Sequence, residues 1–182
     1  MLMQSKQLDG PRQLPVFSRI DVSSGELILF PECLGTKATV LAFMCNHCPY
    51  VKHILASFVN LANQWHGEEF FFVALSANDA DQYPQDSPEQ MKLLAQQMQF
   101  RFPYLYDQSQ ELFRSLDIVC TPEFMVVDPE GSALYHGRYD ETTPGSGQDS
   151  HGKDLVQVLE AIKSGRQIPV SQPSMGCSVK WK

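Results

Sequence analysis

Cys45 and Cys48 stand three residues apart in the run Cys45-Asn46-His47-Cys48-Pro49-Tyr50-Val51-Lys52. Two thiols at that spacing can close a disulfide and reopen it, which is the chemistry of thiol–disulfide exchange. An apolar stretch, Thr39 to Met44, leads into the run, and an amphipathic stretch follows it. Cys48 is therefore placed at the N-terminus of a helix. There, unpaired backbone N–H groups and the positive end of the helix dipole favour thiolate over thiol, and the thiolate is the nucleophile. His47, between the two cysteines, is either a cation that further favours a thiolate or a plain polar surface residue.

The elements that must hold these thiols follow from periodicity. Val16 to Leu29 alternates loosely around Ser23-Ser24-Gly25 and predicts a β-hairpin. Thr39 to Met44 is apolar throughout, as in a strand covered on both faces. Val51, Ile54, Leu55, Phe58, Val59, Ala62 and Trp65 recur at helical spacing, with Pro49 in the first turn and Gly67 as the stop. Phe70 to Leu75 is a second buried strand. Ser87-Pro88-Glu89-Gln90 opens a helix running to about Met98. Tyr104 to Tyr106 predicts a strand and Gln110 to Leu116 a short helix. Phe124–Asp128 and Ala133–Gly137 predict a hairpin turned by Pro129-Glu130-Gly131. A polar loop, Tyr139 to Gly152, precedes a helix from Asp154 to Ser164, closed by Gly165. Arg166 to Lys182 is expected to be an extended tail. Strand–helix alternation followed by an antiparallel pair implies a single α/β domain, a mixed sheet with helices on both faces.

The order of elements, the cysteine at the first strand–helix junction and the pair Thr121-Pro122 before a late strand resemble the thioredoxin-like fold. More narrowly, the chain resembles the redoxin branch, the alkyl hydroperoxide reductase/thiol-specific antioxidant group, over roughly residues 15 to 165. The Cys45–Lys52 run and the tail from Pro173 to Lys182 resemble a cytosolic thioredoxin-like subgroup. In thioredoxins and glutaredoxins the attacking cysteine falls five residues after an aromatic near the strand end. Counted from Phe43, that is Cys48, and Pro49-Tyr50 then matches the Cys-Pro-Tyr-Cys of glutaredoxins, with Val51 in place of the second cysteine. Read as a plain C-x-x-C, the motif makes Cys45 the nucleophile instead. Both registers stay open, and a Cys45–Cys48 disulfide suits either.

The resemblance implies that Pro122 is a cis-proline against the active thiol and that the Thr121 backbone pairs with a bound substrate strand. An X–Pro bond is cis only about 5–6% of the time, so the sequence alone does not imply it. Cys120 and Cys177 become candidate resolving thiols, Cys177 from a mobile tail, whereas Cys33 is structural. Ala42 replaces the buried acid of thioredoxins, and His47 their tryptophan. An imidazolium there would make the disulfide more oxidising than thioredoxin's roughly −270 mV.

The alternatives are of different classes. A thiol peroxidase would oxidise Cys48 to a sulfenic acid, but the hydroxyl expected three residues before the thiol is absent, Ala42 and Cys45 standing at those positions. A non-catalytic redox sensor or metal-binding adaptor could use the same fold. Zinc would draw on Cys45, His47, Cys48 and Cys120 only if their loops converged, and no metal or bound cofactor is expected. Asp79 to Asp86 carries no metal-ligand pattern, and Asp128, Arg138 and Asp140 suggest a solvated edge. Five cysteines, an odd and irregularly spaced set, make a poor structural disulfide framework. A net charge of −7 disfavours nucleic acid or an anionic membrane as partner. No stretch has the length and apolarity of a signal peptide or membrane span, so a cytoplasmic location is expected. The expected partners are a protein or small-molecule disulfide and an external thiol reductant.

Overall fold

The computed structural model describes residues 1–6, 10 and 12–182. Strand β1 (Leu2–Gln4) is followed by a hairpin, β2 (Phe17–Ile20) and β3 (Leu27–Phe30). Then come β4 (Ala38–Phe43), α1 (Pro49–Trp65), β5 (Phe70–Ser76), α2 (Pro88–Gln97), β6 (Tyr104–Tyr106) and α3 (Glu111–Ser115). The chain ends with β7 (Cys120–Thr121), β8 (Glu123–Val127), β9 (Ala133–Gly137), α4 (Lys153–Ser164) and β10 (Met175–Ser178).

The central sheet has five strands in the order β6-β5-β4-β8-β9. β4 runs parallel to β5 and β5 to β6, whereas β8 is antiparallel to both β4 and β9. β4 is buried at every position because its two faces feed two core layers. Val40 and Ala42 join α1 (Ile54, Phe58), α2 (Met91, Ala95) and α4 (Leu155, Leu159). Leu41 and Phe43 join the hairpin (Phe17, Phe30), α3 (Leu112, Phe113) and Val179 of the tail. The mixed sheet with helices on both faces is the arrangement expected from the order of elements, and its architecture is thioredoxin-like.

Local chemistry explains the boundaries. The Asp21 carboxylate accepts from the Ser23, Ser24 and Tyr104 N–H groups, which folds the hairpin turn and ties it to β6. Ser87 caps α2 through Gln90 N–H at 3.4 Å. Gly165 ends α4 at φ +65°, a conformation glycine adopts without strain. α1 stops at Trp65, with His66 rather than Gly67 at its C-cap. No helix among the described residues is long and apolar enough to cross a membrane.

The tail is extended, as expected, but it is paired rather than free. Its residues 175–178 form β10, the middle strand of a second sheet, β1-β10-β7. Leu2 pairs with Cys177 on one side and Thr121 pairs with Cys177 on the other. The alternation rules see no strand here because Met175-Gly176-Cys177-Ser178 lacks β-branched and aromatic residues. Its partners, far away in sequence, supply the ladder.

Candidate active site

Cys48 is the N-cap of α1, with Pro49 in the first turn, where its missing N–H costs nothing. The residue is 0% exposed. Its sulfur receives the Cys45 thiol, the Cys177 thiol, and the backbone N–H groups of Val51 and Cys177. The Cys45 hydrogen bond is the largest influence. With the other donors it overcomes the opposing cost of burial and lowers the Cys48 pKa to about 5. In its protonated form the Cys48 thiol can donate to the Thr121 carbonyl, 3.2 Å away.

Cys45, in the loop between β4 and α1, is driven the other way. Donation of its proton to Cys48, burial at 1% exposure and the nearby Asp86 carboxylate all hold it protonated, against the Thr121 hydroxyl at 3.3 Å. The two thiols are shifted in opposite directions, Cys48 towards the thiolate and Cys45 towards the thiol.

His47 does not donate to the Cys48 sulfur. Its Nδ1 meets Asp86 Oδ2 at 2.5 Å and its ring stacks on Tyr83 with centroids 5.3 Å apart. Asp86, fully buried, also accepts from the N–H groups of Asn46 (2.8 Å) and His47 (3.1 Å) and from Asn78 Nδ2 (2.8 Å). Asn46 in turn accepts from the Tyr104 hydroxyl at 3.1 Å. This network holds the Cys45–Cys48 loop in shape. The segment from Asp79 to Asp86 thus contributes to the site, a role its sequence does not show, and the reason is spatial: Asp86 lies far from the motif in sequence. Donor atoms of Cys45, His47 and Asp86 lie within 4.8 Å of one another. An ion held there would have to displace the four donors that already occupy the Asp86 oxygens.

The Thr121-Pro122 bond is cis. Cys120, just before it, points its sulfur to Glu123 Oε2 at 3.6 Å, and burial first and the Glu123 charge second push this thiol far up. The other Glu123 oxygen meets His136 Nε2, and both side chains are fully buried. Sequence reasoning missed Asp86, Glu123 and His136 as partners of the cysteines. The one usable signal was Glu123, a charged residue directly after Pro122 in an otherwise apolar strand.

Cys177 is not on a mobile tail. Val179 N–H donates to Val119 O at 3.0 Å, Lys180 N–H to Asn78 Oδ1 at 2.8 Å, and the Arg114 guanidinium lies 4.3 Å from the Trp181 ring centroid. Half-buried, the Cys177 thiol is pushed up to about 11, by burial first and then by its hydrogen bond to Cys48. The Thr121 backbone, expected to pair with a bound strand, pairs with β10 instead. Cys33 lies away from this cluster, packed beside the second core layer. The edge expected to be solvated is built in: Asp140 is 7% exposed and accepts from the N–H groups of Thr142, His151 and Gly152, while Arg138 pairs with Asp154 at 2.5 Å.

Among solved structures, the chain is similar to an uncharacterized conserved protein from Geobacillus kaustophilus. The two are 39% identical with a TM-score of 0.96, covering 100% of this chain and 97% of that one. A hypothetical protein from Sinorhizobium meliloti 1021 is 32% identical with a TM-score of 0.93, covering 98% of each chain. A thiol:disulfide interchange protein of the thioredoxin family from Chlorobium tepidum TLS shares the fold, at 20% identity and a TM-score of 0.59, covering 74% of this chain and 89% of that one. No curated protein matches. The fold and the family together support a redox function. Residues 12–136 match the AhpC/TSA family, and the chain belongs to it.

Proposed function

We propose that the protein is a thiol–disulfide oxidoreductase. The Cys48 thiolate attacks a substrate disulfide and forms a mixed disulfide. Cys45 then attacks the Cys48 sulfur, releases the second substrate thiol and leaves a Cys45–Cys48 disulfide. An external thiol reductant resets the pair, and no bound cofactor takes part. The observation that carries this reading is the meeting of two buried thiols on one residue, Thr121, at a helix N-terminus: Cys45 Sγ lies 3.3 Å from its hydroxyl, Cys48 Sγ 3.2 Å from its carbonyl, and Cys48 is the N-cap of α1. The lowering of Cys48 to about 5 and the raising of Cys45 favour the register in which Cys48 is the nucleophile. Cys45 then resolves, losing its proton as the negative charge on Cys48 is consumed. Thr121, before the cis bond to Pro122, meets both sulfurs, and Asp86 with His47 keeps the loop in register.

Reduction of insulin disulfides by dithiothreitol tests the proposal. Cys48→Ser should abolish the acceleration, and Cys45→Ser should stall the cycle with Cys48 locked in a disulfide that it cannot pass on. Full activity of Cys48→Ser would sink it. A thiol peroxidase is the second reading, favoured by the family and by the Thr121 hydroxyl beside Cys45, a hydroxyl the sequence motif lacks. Peroxide consumption in the same preparations separates the two: a peroxidase consumes peroxide and leaves insulin intact.

A further inference from the structure

Three thiols converge at this site, and they are ordered by depth. Cys45 and Cys48 are 1% and 0% exposed, while Cys177 is only half-buried. β10 lies along the edge next to Pro122, with Cys177 opposite Thr121 and Ser178 opposite Cys120. The fit is close. A Cβ built on Gly176 would run into the Thr121 carbonyl and the Pro122 nitrogen, so only glycine lets the strand approach this far. Thr121, opposite Cys177 in the ladder, has its carbonyl 3.2 Å from the Cys48 sulfur, so β10 brings Cys177 up beside the nucleophile. β10 thus stands where an incoming peptide strand would add, and it carries a cysteine against the nucleophile.

From this we infer that Cys177 is the entry thiol through which a low-molecular-weight disulfide reaches Cys48, with β10 as a tethered substrate strand. The inference rests on the oxidoreductase reading above. An extended polypeptide finds the Thr121 edge already paired, so the substrate class is a small disulfide, RSSR, able to meet a half-buried thiol.

The exchange balances in three steps. Cys177 gives its proton to solvent, its thiolate attacks RSSR, the first RS⁻ departs and takes up a proton as RSH, and Cys177–S–S–R forms. The Cys48 thiolate then attacks the Cys177 sulfur. The second RS⁻ departs, takes a proton from solvent, and leaves a Cys48–Cys177 disulfide. Cys45 finally attacks the Cys48 sulfur and its proton passes to Cys177, which is restored as a thiol. One RSSR becomes two RSH, the Cys45 thiol and the Cys48 thiolate become the Cys45–Cys48 disulfide, and one solvent proton is consumed net.

Oxidised glutathione serves as the probe, with the full-length protein quenched in acid and its thiols mapped by mass spectrometry. Cys45→Ser should stop at a Cys48–Cys177 disulfide, and Cys48→Ser should hold glutathione on Cys177. Cys177→Ser, nearly isosteric, should form the Cys45–Cys48 disulfide at least about tenfold more slowly than the unaltered chain. A Cys177→Ser protein that oxidises at the unaltered rate, or a Cys45→Ser protein that holds glutathione on Cys48, overturns the relay and leaves the oxidoreductase reading standing. If Cys48→Ser still turned over glutathione disulfide catalytically, the oxidoreductase reading itself would fail.

Discussion

Cys48 and Cys120 flank the same dipeptide, Thr121-Pro122, and both are 0% exposed, yet their thiols are driven in opposite directions. Burial raises both, because a low-dielectric surrounding penalises the thiolate. At Cys48 this cost is outweighed by two thiol donors and two backbone N–H donors aimed at one sulfur. At Cys120 there is no such convergence. Its neighbour is the Glu123 carboxylate, an acceptor and a like charge, so the raising effects add. Depth in the fold therefore does not separate a reactive from an inert cysteine. The sign of the groups aimed at the sulfur does.

The sharpest way to break this contrast is to remove each thiol in turn. Cys48→Ser should reduce disulfide exchange by roughly a thousandfold or more, whereas Cys120→Ser should stay within about twofold, because only the ionised sulfur is a competent nucleophile. Comparable losses in the insulin assay would mean that Cys120 takes part in turnover.

Titration is the next test. With its pKa lowered from 9.0 to about 5, Cys48 should be alkylated by iodoacetamide at half its plateau rate near pH 5. Cys120 in the folded protein should stay unlabelled. The same shift has a consequence for stability. A folded pKa below the unfolded value adds stability that is complete above about pH 9 and is lost as pH falls through about 5. The Tm of the reduced protein should rise over that window, and Cys48→Ser should flatten the rise. An unchanged slope in the variant would place the ionisation elsewhere.

The two buried carboxylates offer a finer comparison. Asp86→Asn puts an amide among donors that need an acceptor and should cost about 1–3 kcal/mol in urea unfolding. It should also ease ionisation of Cys45, since the Asp86 charge holds that thiol up. Glu123→Gln should produce the smallest change in turnover, within about twofold. It should bring the Cys120 pKa down and leave that of Cys48 where it was, as read by thiolate absorbance near 240 nm. A Cys48 shift in Glu123→Gln would mean that the two environments are not independent.

Much of the fold is legible in the sequence because it rests on local periodicity. Alternation in Phe17–Ile20 and Leu27–Phe30, the apolar run of β4 and the helical spacing from Val51 to Trp65 each mark an element whose burial follows from its own pattern. The position of Cys48 as a helix N-cap is equally local, since a strand, a short turn and Pro49 fix it. β10 is the counter-example. Met175-Gly176-Cys177-Ser178 has no strand pattern of its own, and only pairing with β1 and Thr121 makes it one. The edge around Asp140 shows the same limit, because a carboxylate that organises a loop from inside reads in sequence like one facing water.

By itself the sequence determined that a dithiol stands at the head of a helix after a buried strand, because strand, turn and cap signals are carried by neighbouring residues. Only the tertiary structure decided what surrounds each sulfur, and with it the direction in which each thiol is shifted. Hydrogen bonds and charges act over a few ångströms of space, and the groups that set the balance, Asp86, Thr121, Glu123 and Cys177, reach the dithiol and Cys120 through chain folding rather than through the motif.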